Sequence, residues 1–243
     1  LNLASTERSA EPEGSATPSP REERTARGAA VHALLEWSQA NDWAEPPLEL
    51  AERHALANRL GVEAAAELLE PVRQWLGSPL RERIGAEATR VRAEVPLLLG
   101  VGGTVLRGSI DLLIERDGAP PLVLDYKTDR LQEGAPAERA AHYETQRTIY
   151  ALAVAEALGA AEVEVAYVFL ERPEEPALTR LDAEAMAAAK ERLEATIGRI
   201  GRGEFPVAAP EERDWSLCRG CPALRGLCSG PGGVEADGQV VEP

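Results

Sequence analysis

The sequence predicts an α/β fold: a mixed central sheet flanked by helices, with a helical subregion on the N-terminal side. Two observations predict it. Apolar residues recur at helical spacing as far as Ile84 and then change to extended runs from Val91. Three such runs are followed by a long helical stretch, another strand and another helix, an alternation that packs helices on a sheet. Apolar residues make up 44% of the 243, enough for a real core, which excludes wholesale disorder.

Residues 1–22 are rich in Ser, Pro, Glu and Ala and read as a disordered linker. From Thr25 to about Asn41 the spacing of Val31, Leu34, Leu35 and Trp37 predicts a helix. Helical patterns continue over Leu48–Leu60 and Val62–Leu76, with breaks expected at Gly61 and Pro71, and a short helix is expected at Leu80–Ile84. Strands are predicted at Val91–Leu99, Val105–Glu115 and Leu122–Lys127, separated by turns at Gly100–Gly103 and Asp117-Gly118. A helix from about Pro136 to Leu158, a strand at Val163–Leu170, a short edge strand near Leu178–Leu181 and a helix from Asp182 to about Ile200 complete the core. Residues 229–243 read as a flexible tail.

Charge and composition exclude several functions. The net charge of −15 is wrong for a general nucleic-acid coat protein, so any nucleic acid must meet a local basic groove or be delivered by a partner. No apolar run approaches the roughly 18–20 residues needed to span a bilayer, and no membrane partner is expected. Three cysteines cannot close a disulfide framework, which favours a reducing, cytoplasmic setting. The first residue is Leu1, with no charged-then-apolar signal peptide after it, so a piece of a longer polypeptide, or a processed one, is expected.

The chemistry concentrates in Gly108-Ser-Ile-Asp111 and Leu122-Val-Leu-Asp125-Tyr126-Lys127-Thr128. Each places one acid in an otherwise apolar strand, and an unpaired carboxylate there is costly. Two such acids on neighbouring strands can share a cation. Asp125 and Lys127 are two apart and share a strand face. This trio suits a hard divalent metal with a water beside it, or, alternatively, a buried salt bridge between Lys127 and one of the acids. Gln146 and Tyr150, four apart, share a helix face. His32 lies on an apolar helical stripe, where a satisfied core role is the ordinary one. Glu94, between Val91 and Val95, reads unaided as a solvent-facing strand residue.

Taken in order, Gly108-x-x-Asp111, Asp125-Tyr126-Lys127-Thr128 and Gln146-x-x-x-Tyr150 resemble the PD-(D/E)xK nuclease domain of the RecB/AddA/AddB type. The resemblance also takes in His32 and Glu94 and covers about 24–228. It implies the restriction-endonuclease-like core, with Asp111, Asp125, the Tyr126 carbonyl and His32 as ligands of Mg²⁺ or Mn²⁺. It implies that Lys127 positions and polarises the attacking water, that Gln146 and Tyr150 shape the site, and that Glu94 stands one layer further out. The implied activity is hydrolysis of single-stranded DNA, fed by a UvrD-type helicase domain in the same chain or a partner subunit. That setting is double-strand-break resection and recombinational repair. The alternatives are a catalytically silent RecC-like scaffold and a free-standing Fe–S exonuclease of CRISPR adaptation. The domain boundaries that follow are 23–228 for the nuclease, comprising a helical subregion 23–86, a catalytic core 87–201 and a Cys-containing segment 202–228. Cys218, Cys221 and Cys228 resemble three ligands of that family's [4Fe–4S] cluster. A fourth Cys is missing, so no stable four-iron cluster is expected. A relic, a cluster completed from elsewhere and a zinc site with a borrowed ligand all stay open.

Overall fold

The computed structural model describes residues 20–131 and 135–204. The cysteine segment, the tail and most of the expected linker lie outside those residues. The residues up to Leu193 form one compact unit; from Glu194 the chain belongs to a second, whose described part ends at Glu204.

Four helices come first: α1 (Pro20–Ala40), α2 (Leu48–Ala57), α3 (Ala65–Leu76) and α4 (Pro79–Glu87). Helix α1 takes in 20–22, which the sequence assigned to the linker. Proline is pre-shaped for a first helical position, and Glu22 and Glu23 suit the positive N-terminal end. Pro71 does not break α3. The buried Leu68, Leu69, Val72 and Trp75 hold the helix together through the missing hydrogen bond. Residues Val62–Ala64 form a 3₁₀ turn instead of joining α3.

The sheet has five strands in the order β1-β2-β3-β4-β5. They are β1 (Ala88–Val101), β2 (Thr104–Arg116), β3 (Leu122–Lys127), β4 (Val163–Phe169) and β5 (Ala177–Leu181). Only the β3–β4 pair is parallel, so the sheet is mixed, as expected. Gly102 and Gly103, at φ 56° and 74°, form the two-residue turn between Val101 and Thr104, a left-handed conformation that matches strand twist. The parallel pair requires a crossover, supplied by α5 (Pro136–Ala140) and α6 (Glu144–Leu158). The single helix expected there is interrupted by a 3₁₀ turn, Ala141–Tyr143. Helix α7 (Ala183–Gly201) starts one residue later than expected, because the Asp182 carboxylate accepts from the Ala185 amide (2.8 Å) and caps it.

The core alternates across the sheet. Leu112, Ile114, Leu122, Leu124, Tyr126, Ala166 and Val168 face α1–α4 and join their apolar stripes. The intervening residues, among them Val123, Val165, Tyr167 and Phe169, are also fully buried, so the central strands are covered on both faces.

Candidate active site

The site forms where two strands part. The β2–β3 ladder runs from Ile114↔Leu122 to Leu112↔Leu124 and stops. Asp111 and Asp125 are the next residues on the two strands. Asp111 Oδ2 accepts from the Tyr126 amide at 2.7 Å, replacing the acceptor that the ladder no longer offers. The Tyr126 side chain turns to the opposite face, edge-on to Trp75 (centroids 5.2 Å apart) and to His32 (6.1 Å).

Helix α1 approaches this point closely. A side chain at Gly28 would lie 3.1 Å from Thr128 Oγ1, just beyond β3. One helical turn on, His32 Nδ1 lies 3.4 Å from Asp111 Oδ1. Glu94 completes the group from β1, between the register pairs Ala93↔Leu112 and Val95↔Ile110, and so opposite Asp111. Its backbone is left-handed (φ 46°), a strained state for a non-glycine residue that concentrates at functional sites. Ser109 Oγ donates to Glu94 Oε2 at 2.9 Å. Glu94 is therefore not the ordinary solvent-facing strand residue that alternation predicts. One potential ligand atom each from His32, Glu94 and Asp111 lies within 4.8 Å of the others, and Asp125 is not of that trio. A cavity of about 10 Å³ adjoins His32, Glu94, Asp111 and Tyr126, room for about one water-sized body.

Asp125 is buried. Its Oδ2 receives Tyr150 Oη (2.9 Å) and Gln146 Nε2 (3.1 Å). Its Oδ1 lies 2.6 Å from Lys127 Nζ, off the line of a hydrogen bond, and accepts none from the described residues. Gln146 also donates to Tyr150 Oη (2.8 Å) and accepts from Lys127 Nζ (2.9 Å), so one amide ties the helix pair to the strand pair. The expected sharing of a helix face by Gln146 and Tyr150 is what makes this possible.

Two residues were not singled out by sequence. Lys127 Nζ sits 4.0 Å from the centre of the Tyr143 ring and 5.2 Å from that of Tyr167. The Tyr143 hydroxyl donates to Asp129, and the Tyr167 hydroxyl donates to the Tyr143 carbonyl at 2.9 Å. The ammonium is therefore held between an acid, an amide and the faces of two rings. The available signals were weak: Tyr143 is three residues before Gln146, and Tyr167 is the register partner of Asp125.

Electrostatics follow from this crowding. Burial, and then the charge of Asp111, raise the Asp125 pKa above the usual carboxylate value, with Lys127 opposing. Burial works to lower that of His32, but the hydrogen bond and charge of Asp111, with Asp125 and Glu94 behind it, hold it above the ordinary value. Asp111, Asp125 and Glu94 act together on His32, and Lys127 Nζ pairs with Asp125. The donor set of imidazole and carboxylate oxygens and the one-body cavity together fit a hard divalent cation.

No curated protein matches the chain. Among solved structures, SSO0001 is 20% identical over 72% of this chain and 74% of its own, with a TM-score of 0.30. A candidate exonuclease from Eubacterium rectale is 15% identical over 90% of this chain and 79% of its own, TM-score 0.45. VC1899 from Vibrio cholerae is 11% identical over 74% and 57%, TM-score 0.27. The family model of the PD-(D/E)XK nuclease superfamily matches residues 4–228, spanning the two acids, the lysine and the helix that holds them, and the chain belongs to that superfamily.

Proposed function

We propose that the chain is a Mg²⁺- or Mn²⁺-dependent deoxyribonuclease of the RecB/AddA/AddB type that hydrolyses phosphodiester bonds of single-stranded DNA. The observation that carries this reading is the meeting of His32, Glu94 and Asp111, one potential ligand atom each within 4.8 Å of the others. Beside them Asp125 is buried and fixed by Gln146 and Tyr150 on one oxygen and by Lys127 on the other.

In this reading His32, Glu94, Asp111, Asp125 and the Tyr126 carbonyl hold the cation. When bound, it lowers the pKa of a water and offsets charge on the phosphoryl oxygens. Lys127 orients the attacking water and steadies the charge that grows on phosphate. Gln146 and Tyr150 keep Asp125 in one rotamer, and Gln146 aims Lys127. The water oxygen forms the new P–O bond, the bridging P–O bond breaks, and the leaving oxygen takes a proton. A helicase domain in the same chain or a partner subunit supplies the strand, because the acidic body attracts DNA poorly at long range. The setting is cytoplasmic break resection, with 20–228 as the nuclease domain, 1–19 as its tether and 229–243 as a tail. Cys218, Cys221 and Cys228 carry no step.

The test is cleavage of end-labelled single-stranded DNA with Mg²⁺, Mn²⁺ or EDTA. Cleavage should require the cation and fall at least about a thousandfold in Asp125→Ala and Lys127→Ala, with folding retained by circular dichroism. Undiminished cleavage in EDTA overturns the reading. DNA bound but never cut by the parent chain would mark a silent scaffold instead.

A further inference from the structure

The β1–β2 hairpin runs on past the point where β3 leaves it, and its two faces differ. On one, Leu97, Leu99, Val101 and Ile110 are buried. On the other, Pro96, Leu98 and Gly100 of β1 and Val105, Arg107 and Ser109 of β2 are exposed. Leu98 is 68% and Val105 60% exposed. They are not scattered surface residues: Leu98 pairs with Arg107, and Gly100 with Val105, in adjacent rungs of the same face. A Cβ at Gly100 would meet nothing within 4 Å, so crowding does not explain the glycine, and the floor beside Val105 is open.

This face leads into the active site. Strand alternation places Ser109 and Pro96 next to Asp111 and Glu94, and the Ser109–Glu94 hydrogen bond shows that the two rungs share a side. Arg107 is four residues from Asp111, ~13 Å along the strand. It is exposed and has no ion-pair partner among the described residues.

We infer that the exposed face of this hairpin is the track on which a single DNA strand lies beside the active site. Arg107 takes a backbone phosphate a few nucleotides from the scissile one, and Leu98 and Val105 take base faces over the open floor at Gly100. Three arguments select this occupant. In a chain of net charge −15, an unpaired cation beside an acidic site complements a polyanion already bound at that site. Exposed aliphatic side chains cover base faces most readily where the bases are already unstacked, as in a single strand. The face is also continuous with the residues proposed to cut. The inference rests on the nuclease reading for its direction, but not for its measurement.

The experiment uses the full chain, Arg107→Ala, and the double variant Leu98→Ser with Val105→Ser, all at surface positions. Binding is read by fluorescence anisotropy of labelled oligothymidylates of increasing length and of a hairpin duplex, with Ca²⁺ replacing Mg²⁺. Hydrolysis is read with Mg²⁺ on the same oligonucleotides and on bis(p-nitrophenyl) phosphate, a diester too small to reach the hairpin track. Each variant should bind long oligothymidylates about tenfold more weakly, and Arg107→Ala should lower the salt dependence by about one released ion. KM on long strands should rise with kcat kept, and hydrolysis of the small diester should be parental. Unchanged binding in both variants, or a duplex bound as tightly as a single strand, overturns the track whatever the activity. If the parent hydrolyses neither substrate while binding still depends on the three side chains, the track stands and the nuclease reading falls.

Discussion

Two ion pairs sit at opposite ends of the same strands. At the end where β3 begins, Arg116 Nη2 lies 2.5 Å from Glu164 Oε2 and donates to the Pro120 carbonyl at 2.7 Å. At the end where β3 finishes, Lys127 Nζ lies 2.6 Å from Asp125 Oδ1. Distance and burial hardly separate them: side chains are 16% and 15% exposed in the first, 13% and 4% in the second. Their surroundings do. The Arg116 pair is neutral within itself, one guanidinium to one carboxylate. The Lys127 pair lies beside the further negative charge of Asp111, which together with burial raises the Asp125 pKa. Cavity size points the wrong way. About 230 Å³ lies beside Arg116 and Glu164, against about 10 Å³ beside His32, Glu94 and Asp111. A ligand is called for by unbalanced charge, and open α/β sheets place such sites at the carboxyl ends of strands.

The contrast breaks most sharply under mutation. Asp125→Asn should abolish cleavage while leaving the metal-free protein as stable as the parent or more so, because burial and Asp111 already disfavour the Asp125 charge. Arg116→Ala should do the reverse, leaving kcat near parental and lowering stability by roughly 3 kcal/mol, since it strands Glu164. Urea melts beside a nuclease assay read both. If both variants lose stability and keep activity, the two pairs are of one kind.

Tyr143 sharpens the picture at smaller cost to rate. A cation over an aromatic face is worth about 0.5–2 kcal/mol, so Tyr143→Leu should lower kcat roughly twofold to thirtyfold with little change in KM. Tyr143→Phe keeps the face, loses only the hydroxyl bond to Asp129, and should recover most of the rate. Equal losses in the two variants would assign the effect to that hydroxyl.

The smallest effect is on pH-dependent stability. Without metal, His32 and Asp125 both have raised pKa values in the folded protein. Each then adds stability that is full below its unfolded value, 6.5 for His32 and 3.8 for Asp125, and is lost as pH rises through the raised one. Cation binding needs both groups unprotonated, so the Mg²⁺-induced rise in Tm should grow with pH across the His32 titration. Thermal melts in EDTA and in Mg²⁺ measure it; a rise independent of pH would remove His32 from the cation.

Much of this was legible in the residues. Strand β3 is found with the bounds expected for it, because a run of Leu and Val ending in charged residues has few other uses. Gln146 and Tyr150 follow from helical spacing alone. The break at Tyr143 was not legible, since Ala-His-Tyr carries no breaker. Nor was the left-handed backbone at Glu94, a residue of ordinary strand context. Pro71 misled for a related reason, as tertiary burial overrides a local penalty.

The parting of β2 and β3 has a consequence for observation. The Tyr126 amide is bonded to the carboxylate of Asp111, not to a strand carbonyl. Whatever draws electron density from that carboxylate changes the bond this one proton makes. Its chemical shift and exchange rate therefore signal occupancy of the neighbouring pocket from inside the backbone, without a label and without a substrate. The adjoining Leu124, locked in the ladder with Leu112, provides the unresponsive reference one step away.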